Sequence, residues 1–361
     1  MKLGIVGLPN VGKSTLFNAI MQAGAEAANY PFSTISPNVG MVPVPDPRLQ
    51  VLEEMYNPKV TTPAVVEMVD IAGLVQGASK GEGMGNQFLS HIREVDAIVH
   101  VLRCFKDDQV VFVYEDIDPL RDIETINLEL IIADLELVER RLDKKSKSKK
   151  NEKLYPREEE ALRLLQEALT GGTCARHIKW DVPEDGKFAE SLHLLTYKPV
   201  LYALNVHEND MENNPHFESL CAFAEEEGSK AFVVCAKIEE EISALAPEEK
   251  EMFLEELGLS QGSLERLITA GYELLGLISF LTAGPKEVRA WTIRRNLKAP
   301  QAAGKIHSDL ERGFIRAEVV AFDDLERTGS YNKAKESGLV RVEGKEYIVK
   351  DGDIMLIRFN V

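Results

Sequence analysis

Short apolar runs recur along the first 240 residues, and the segments between them carry helical patterns. The runs are Leu3–Val6, Pro63–Ile71, Ala97–Leu102, Val200–Asn205 and Ala231–Val234. Each is long enough for one strand buried on both faces, as strands of a parallel sheet are. Val39–Val44 is a further strand candidate, which Pro43 and Pro45 confine to an edge. The alternation of strands and helices predicts an α/β fold with a doubly wound, mostly parallel sheet.

A different pattern begins at Asp122. Apolar residues there recur every three or four positions on a charged background, at Leu128, Ile131, Ile132, Leu135, Val138 and Leu142. This spacing predicts a long amphipathic helix that ends in the basic run Lys144–Lys150. A second helix is predicted over Pro156–Leu169, with one apolar side formed by Ala161, Leu164, Leu165 and Ala168. Two helices joined by a basic tip predict an antiparallel helical (coiled-coil) arm inserted into the sheet domain.

The segment 277–361 has a third pattern. Strands are predicted at Val288–Ile293, Ala317–Phe322, Glu346–Val349 and Ile354–Phe359, with one helix across Ala302–Leu310. These elements predict a small α+β module. The predicted organisation is a sheet domain formed by residues 1–120 and 196–276, an arm formed by residues 121–195, and the C-terminal module.

Composition narrows the class of protein. The 361-residue chain is 44% apolar and has no apolar run near the roughly eighteen residues of a membrane span. Its net charge of −17 argues against a general nucleic-acid binder. Residues 139–153 and 285–317 depart from this average, since each segment holds eight Lys or Arg against three acids, a balance of +5. The four cysteines form no C-x-x-C pair, which predicts a reduced, cytoplasmic protein without structural metal.

The candidate chemistry begins where the first apolar run ends. Gly7-x-x-x-x-Gly12-Lys13-Ser14 follows Val6 directly, and a helix pattern starts at Thr15. Strand, glycine-rich turn and helix in this order predict a phosphate-binding P-loop, whose backbone N–H groups surround the phosphates. Lys13 is expected to reach the β- and γ-phosphates, and Ser14 to place its hydroxyl on Mg²⁺. The alternative is a plain glycine turn between a strand and a helix.

Two further stretches have the order that a nucleotide switch requires. Asp70-Ile-Ala-Gly73 ends the second run; Asp70 is expected to hold Mg²⁺ through water and the Gly73 N–H to contact the γ-phosphate. Thr34, with Ser33 as the alternative, is expected to close over Mg²⁺ from the preceding loop. Each could instead be an ordinary turn residue, but their order along the chain favours the switch.

The base is predicted to lie against two later loops. Guanine-specific proteins carry Asn-Lys-x-Asp after the fourth strand, where this chain has Asn205-Val206-His207-Glu208. The longer Glu208 and the loss of the Lys stem weaken the guanine clamp, whereas Asn205 could contact an adenine amino group. Cys235-Ala236-Lys237 matches the loop that closes over the base. The predicted nucleotide contacts are Asn10, Val11, Gly12, Lys13, Ser14, Thr15, Asn205, Val206, Glu208, Cys235, Ala236 and Lys237.

These motifs resemble those of the YchF family, the Obg-like ATPases. The resemblance runs the full length of the chain, through Gly7–Thr15, Tyr30–Asn38, Asp70–Leu74, Lys80–Phe88 and Asn205–Glu208. The inserted coiled-coil arm is also a family feature, and the stretches 288–307 and 347–353 resemble the family's C-terminal TGS domain, a ubiquitin-like β-grasp module. The resemblance implies a cytoplasmic ATPase that uses GTP less well and associates with ribosomes.

Two positions bear on hydrolysis. Ras-type GTPases orient the attacking water with a Gln after Asp-x-x-Gly, and this chain has Leu74 there. Family members often carry a His after the third strand, where this chain has Phe112. We therefore expect slow turnover, with catalysis assigned to Lys13, Thr34, Gly73 and Asn10 and with no residue assigned to the catalytic water.

Asn10 has two interpretations. In several P-loop GTPases with the same G-x-P-N-x-G-K-S form, this Asn holds a potassium ion between phosphates. A K⁺ ion there would neutralise charge that develops between the β- and γ-phosphates. The alternative is an Asn that favours the turn conformation of the loop.

The two basic segments are candidate contacts with ribosomal RNA. The residues assigned to this contact are Lys144, Lys145, Lys147, Arg289, Arg294 and Arg295. The lysines are also typical of a solvated helix end, and Trp291 beside the arginines can equally be core. The leading prediction is a monomeric, ribosome-associated switch that binds and slowly hydrolyses ATP, with neither membrane nor DNA as a partner. The alternatives are an ATP-holding binding factor with little turnover and a GTP-preferring translational GTPase.

Overall fold

The computed structural model describes residues 1–27, 34–36, 38–72, 84–107, 116–147, 157–211, 214–245, 249, 252 and 262–360. The strands are β1 (Lys2–Val6), β2 (Thr34–Ser36), β3 (Val39–Pro43), β4 (Thr61–Thr62), β5 (Val65–Asp70), β6 (Ala97–Arg103), β7 (Val200–Asn205), β8 (Ala231–Val234), β9 (Leu277–Ala283), β10 (Val288–Arg294), β11 (Phe314–Ala321), β12 (Arg341–Glu343) and β13 (Asp353–Phe359). The helices are α1 (Lys13–Ala27), α2 (Pro47–Tyr56), α3 (Met84–Glu94), α4 (Pro119–Lys147), α5 (Glu158–Thr170), α6 (Pro183–Ser191), α7 (Phe217–Glu226), α8 (Ala236–Ser243), α9 (Ser263–Leu274), α10 (Ala299–Ile306), α11 (Ser308–Arg312), α12 (Phe322–Thr328) and α13 (Tyr331–Glu336).

The chain forms two compact units. The first comprises Met1–Ala23, Thr34–Gly40 and Glu67–Leu267, and the second comprises Gly24–Ser33, Met41–Val66 and Ile268–Val361. In neither unit do the described ranges contain a helix that is both long enough and apolar enough to cross a membrane.

The first unit is built on a seven-stranded sheet with the order β2-β3-β5-β1-β6-β7-β8. β1 pairs in parallel with β5 and β6, and β7 pairs in parallel with β6 and β8, whereas β2 and β3 are antiparallel. Every residue of β6 and β7 is buried, which explains their continuous apolar runs. The predicted doubly wound, mostly parallel sheet is confirmed. The carboxyl ends of its parallel strands lie at one edge, where ligands of such sheets bind.

Helices α4 and α5 form the predicted arm. α4 is 29 residues long, and its apolar seam with α5 includes Ile131, Val138, Leu162, Leu165 and Leu169. Asp134 anchors the arm, because its carboxylate accepts hydrogen bonds from the backbone N–H groups of Leu195 and Thr196 at 2.9 and 2.7 Å.

Two residues of the predicted stripe lie outside this seam. Leu128 and Leu164 are 55% and 41% exposed. The buried contact between the helices therefore includes fewer residues than the periodic pattern predicted. Only the apolar side chains that contact the partner helix are buried.

The second unit contains a six-stranded sheet with the order β12-β11-β13-β9-β10-β4. Its strands are mixed in direction, since β9 is antiparallel to β10 and parallel to β13. α10 packs its small residues Ala299, Ala302 and Ala303 into the core against Phe280 and Phe314. A mixed sheet with a helix packed on it is the β-grasp arrangement that the family resemblance implied.

Two local predictions in this unit were wrong, and one strand was not predicted. Glu346–Val349 is a turn with an isolated bridge from Ile348 to Lys298, and the edge strand is β12 instead. The helix expected across Ala302–Leu310 is broken at His307, whose backbone is extended, so that α10 and α11 are separate. The strand β9 was not predicted, although it is an apolar run. α2 and β4 also belong to this unit, where β4 pairs with β10.

Candidate functional site

The P-loop connects β1 to α1 in the order that the motif requires. Asn10 and Gly12 both have left-handed backbone conformations, with φ of 62° and 86°. A Cβ at Gly12 would lie 2.2 Å from Asn205 Nδ2, so glycine is required there by its conformation and by this close approach. Helix α1 starts at Lys13, directly after these residues. The N–H groups of its first turn have no intrahelical partners and point toward the loop.

Lys13, Ser14 and Asp70 meet at this helix terminus. Lys13 Nζ forms an ion pair with Asp70 Oδ1, and Ser14 Oγ lies 3.2 Å from Asp70 Oδ2. Asp70 ends β5, which pairs with β1 at Ile5, so two adjacent parallel strands bring it to the P-loop. Residues 56 positions apart thus form one cluster of a cation, a hydroxyl and a carboxylate. Sequence order had predicted this cluster.

A cavity of about 710 Å³ lies against the P-loop. Of the predicted nucleotide contacts, all but Val11 line it, and the other lining residues are Leu8, Pro9, Phe105, Asp107, His207 and Glu240. Val11 is buried beside the loop. The cavity is therefore lined both by the P-loop and by the residues predicted to face a base.

Asn205 connects the two predicted nucleotide loops. It is 4% exposed; its Nδ2 donates to the Val11 carbonyl at 2.9 Å, and its Oδ1 accepts from the Ala236 N–H at 3.0 Å. The amide therefore fixes the P-loop to the start of α8. The predicted contact of Asn205 with an adenine amino group stays a prediction, since both ends of this amide already have protein partners.

The residues predicted to face the base differ in exposure. Val206 and Cys235 are buried, at 3% and 2% exposure, whereas Glu208 is exposed in a short 3₁₀ turn over Glu208–Asp210. Burial raises the pKa of the Cys235 thiol above its ordinary value, with a smaller contribution from nearby Glu208. The thiol therefore stays protonated and apolar at neutral pH, as a residue against a flat base requires.

Arg103 and Phe105 belong to the site, and the sequence had not predicted either of them. Arg103 is 3% exposed, ends the otherwise uncharged strand β6, and lies with its guanidinium carbon 4.6 Å from the centre of the Phe105 ring. Phe105 lines the cavity together with the P-loop residues. The available signal was a charged residue at the end of a strand pattern that otherwise requires burial.

Several predicted residues fall outside what the structure describes. These are Ser33, Gly73, Leu74, Phe112, Lys149 and Lys150. Thr34 lies in β2, and Lys145 and Lys147 lie in the last turn of α4, but their side chains are not described. The assignments of these residues stay predictions.

Three of the four remaining basic candidates are exposed, and Arg289 is half-buried. Lys144 is exposed near the end of α4, and Arg294 and Arg295 are exposed at the end of β10. Arg289 lies 4.0 Å above the ring of Trp291, which is partly buried, packs against the core and donates from Nε1 to Thr282 Oγ1 at 3.0 Å. Trp291 therefore packs in part against the core, and its contact with RNA stays a prediction.

Two family models match the chain. The model described as "50S ribosome-binding GTPase" matches residues 2–137, and the YchF-GTPase_C model, described as "Protein of unknown function (DUF933)", matches residues 277–360. The first match covers the P-loop and Asp70, and the second covers all but the last residue of the predicted C-terminal module.

Curated relatives are similar over their full length. The chain is 57% identical to "Ribosome-binding ATPase YchF" of Bacillus subtilis, with 99% of each chain covered, and 50% identical to the protein of that name in Escherichia coli O157:H7, with 100% and 99% covered. It is 44% identical to "Obg-like ATPase 1" of Oryza sativa, covering 100% of this chain and 92% of the relative.

A solved structure described as the YchF GTPase of Schizosaccharomyces pombe is also similar. Its TM-score is 0.89 at 38% identity, and the match covers 99% of this chain and 97% of that one. A GTP-binding protein from Pyrococcus horikoshii has a TM-score of 0.63 at 22% identity and covers 100% of both chains, which shows a shared fold.

Proposed function

This chain belongs to the YchF family of P-loop nucleotide hydrolases, and we propose that it is a cytoplasmic, monomeric switch that binds ATP and slowly hydrolyses it to ADP and phosphate. The observation that carries the proposal is the cluster of Lys13, Ser14 and Asp70 beside a cavity of about 710 Å³. A lysine, a hydroxyl and a carboxylate at a helix N-terminus are the groups that a Mg²⁺–nucleotide requires. Lys13→Ala should abolish binding of a non-hydrolysable ATP analogue in calorimetric titration, and an unchanged Kd would contradict the site.

The donor atoms of this cluster fit Mg²⁺. Hydroxyl and carboxylate oxygens are the ligands that this hard cation prefers, and Ser14 Oγ lies 3.2 Å from Asp70 Oδ2. We assign Ser14 and Thr34 as direct ligands and Asp70 as a ligand through water. The bound ion would neutralise negative charge on the phosphate oxygens.

The chain's own groups would hold the phosphates. Lys13, which pairs with Asp70 in this structure, would reach the β- and γ-phosphates. The backbone N–H groups from Val11 to Thr15 would surround the β-phosphate, because the helix N-terminus leaves them without intrahelical partners. The Gly73 N–H would contact the γ-phosphate and make the second switch sensitive to hydrolysis.

We propose that ATP binds more tightly than GTP. The exposed position of Glu208 and the apolar Val206 support this preference, because a guanine clamp needs a short carboxylate held at the ring edge and a lysine stem over the base. Calorimetric titration with non-hydrolysable analogues of ATP and GTP tests it. Glu208→Asp combined with Val206→Lys should move the preference toward GTP, and a GTP preference in the unmodified protein would refute the proposal.

Slow turnover follows from the residues at two positions. Leu74 and Phe112 cannot orient water by hydrogen bonds, so charge neutralisation near the phosphates must carry more of the rate. We propose that Asn10 holds K⁺ for this purpose, because Asn10 lines the cavity and its backbone has the left-handed conformation. Hydrolysis should be faster in KCl than in NaCl, and Asn10→Ala should remove the difference. Equal rates of the unmodified protein in both salts contradict the assignment.

We further propose association with the ribosome through ribosomal RNA. The names of the bacterial relatives support this partner, as do the basic residues at the end of α4 and on β10. Reversal of charge at Lys144, Lys145 and Lys147 should weaken cosedimentation with ribosomes and reduce its dependence on salt. Reversal at Lys333, Lys335 and Lys345, three exposed lysines outside both basic segments, is the matched control. Equal pelleting of the two variants would count against the arm.

The second candidate is a factor that holds ATP with little turnover. Leu74 favours it, since this position orients the attacking water in Ras-type enzymes. Single-turnover hydrolysis with and without ribosomes distinguishes the two functions. A rate constant near zero in both conditions supports the holding factor.

A further inference from the structure

The guanidinium of Arg103 contacts three residues that line the nucleotide cavity. It is 3% exposed, and its three nitrogens donate to three different carbonyl oxygens: Nη1 to Asn10 at 3.4 Å, Nε to Phe105 at 3.2 Å and Nη2 to Asp107 at 3.3 Å. Asn10 belongs to the P-loop, Phe105 and Asp107 follow β6, and all three residues line the cavity. One buried side chain therefore connects the P-loop with the segment that follows β6.

The contact with Asn10 determines the direction of the next peptide N–H. In a trans peptide the C=O and the N–H point in opposite directions, so a carbonyl of Asn10 held by Arg103 directs the Val11 N–H away from Arg103. Asn205 holds the next carbonyl, that of Val11, at 2.9 Å and so directs the Gly12 N–H. Side chains at the ends of β6 and β7 thus orient two successive P-loop peptides.

Burial of an arginine side chain lowers the stability of the fold, which favours a functional reason for placing Arg103 there. Removing a guanidinium from water is strongly unfavourable, and hydrogen bonds to neutral carbonyls offset only part of this penalty. Burial lowers the pKa of Arg103, while the nearby carboxylates of Asp107 and Asp122 act in the opposite direction. An apolar residue would complete the otherwise uncharged strand β6 at lower cost, but could not hold three carbonyls.

We infer that Arg103 is a positioning residue for phosphate binding, which acts by orienting the Asn10–Val11 peptide so that the Val11 N–H faces the phosphates. This inference rests on the proposed nucleotide site and adds a residue that touches neither the nucleotide nor the metal. A merely structural Arg103 would only hold the 104–107 segment, whose Phe105 and Asp107 line the cavity, and the protection that ADP gives the Val11 N–H against exchange would then be the same in Arg103→Lys as in the unmodified protein.

The test compares two buried arginines of the same unit. Arg103→Lys keeps the charge but cannot reach three carbonyls, and Arg176→Lys removes the contacts of a second buried guanidinium, which donates to Asn127 Oδ1 and the Thr196 carbonyl. We expect Arg103→Lys to weaken ADP binding about tenfold to a hundredfold, as loss of a well-oriented charge-assisted hydrogen bond does. Arg176→Lys should lower the melting temperature and leave the Kd for ADP unchanged.

Wild-type affinity for ADP in Arg103→Lys would overturn the inference. Absence of ADP, ATP and GTP binding by the unmodified protein would instead overturn the nucleotide site itself, so the two failures are distinguishable. If Arg103→Lys does not fold, amide hydrogen exchange of the unmodified protein decides. The Val11 N–H should gain protection when ADP binds, and an unchanged exchange rate of Val11 would refute its orientation.

Discussion

Gly12→Ala tests how closely the P-loop is held against Asn205. The backbone of Gly12 has φ of 86°, which costs alanine about 1–2 kcal/mol. The new Cβ would also lie 2.2 Å from Asn205 Nδ2 and displace an amide that makes two buried hydrogen bonds. Losing these adds about 1–3 kcal/mol, because buried polar groups are left without partners. The expected total is about 2–5 kcal/mol of unfolding free energy.

The chain supplies a matched control for the conformational part of this cost. Gly172 has φ of 78°, but a Cβ there meets nothing within 4 Å. Gly172→Ala should therefore cost only the left-handed strain, about 1–2 kcal/mol. Urea denaturation of both variants measures the difference, which is the contribution of the contact with Asn205.

A double-mutant cycle identifies the cause of the difference. In an Asn205→Ala background the amide is absent, so Gly12→Ala should cost no more than Gly172→Ala. Equal destabilisation by Gly12→Ala and Gly172→Ala in the unmodified chain would refute the close approach. An undiminished cost of Gly12→Ala in the Asn205→Ala background would show that the strain has another source.

Three further changes have expected outcomes. Burial raises the pKa of Asp122 to about 6, so the ionised carboxylate destabilises the fold above that pH. Asp122→Asn should therefore raise the free energy of unfolding at pH 7, and this gain should shrink as the pH falls toward 4. An equal gain at pH 7 and pH 4 would contradict this. Burial lowers the pKa of His100 to about 3, so the free energy of unfolding should fall as the pH drops below 6.5, where the histidine of the unfolded chain takes up a proton. Urea titrations of His100→Gln should show a shallower fall of this free energy with pH. The same dependence on pH as in the wild type would contradict this. Ala303 is fully buried under the second sheet, so Ala303→Leu should lower the free energy of unfolding by about 1–3 kcal/mol through overpacking. Urea denaturation measures this loss against Lys305→Leu, an exposed control on the same helix. Equal stability of the two variants would show that the core has room for the larger side chain.

The order of catalytic motifs was predictable because each motif is local. The P-loop is one continuous stretch, in which the glycines shape the backbone and Lys13 and Ser14 follow at a fixed spacing. Asp70 was predictable because it ends an apolar run, and the carboxyl ends of parallel strands share one edge. The long helix α4 was predictable because its apolar spacing repeats over many turns.

Long-range pairing was less predictable. β4 consists of two residues near position 61, yet it pairs with β10 near position 288. Two residues carry too little pattern to indicate a strand, and their partner is set by the packing of the whole unit. Leu128 and Leu164 fit the apolar stripe of the arm but remain exposed. Periodicity shows which side of a helix is apolar, but it does not show how much of that side the partner helix covers.

The sequence by itself determined the P-loop, the strand–helix alternation and the arm, since these depend on the order and spacing of residues within short segments. Only the tertiary structure decided how the site is held together. Arg103 and Asn205 end adjacent strands about a hundred residues apart, and each contacts the P-loop through a backbone carbonyl. Every residue presents such a carbonyl, so sequence patterns carry no trace of these contacts. They exist because parallel pairing brings the ends of β1, β6 and β7 together.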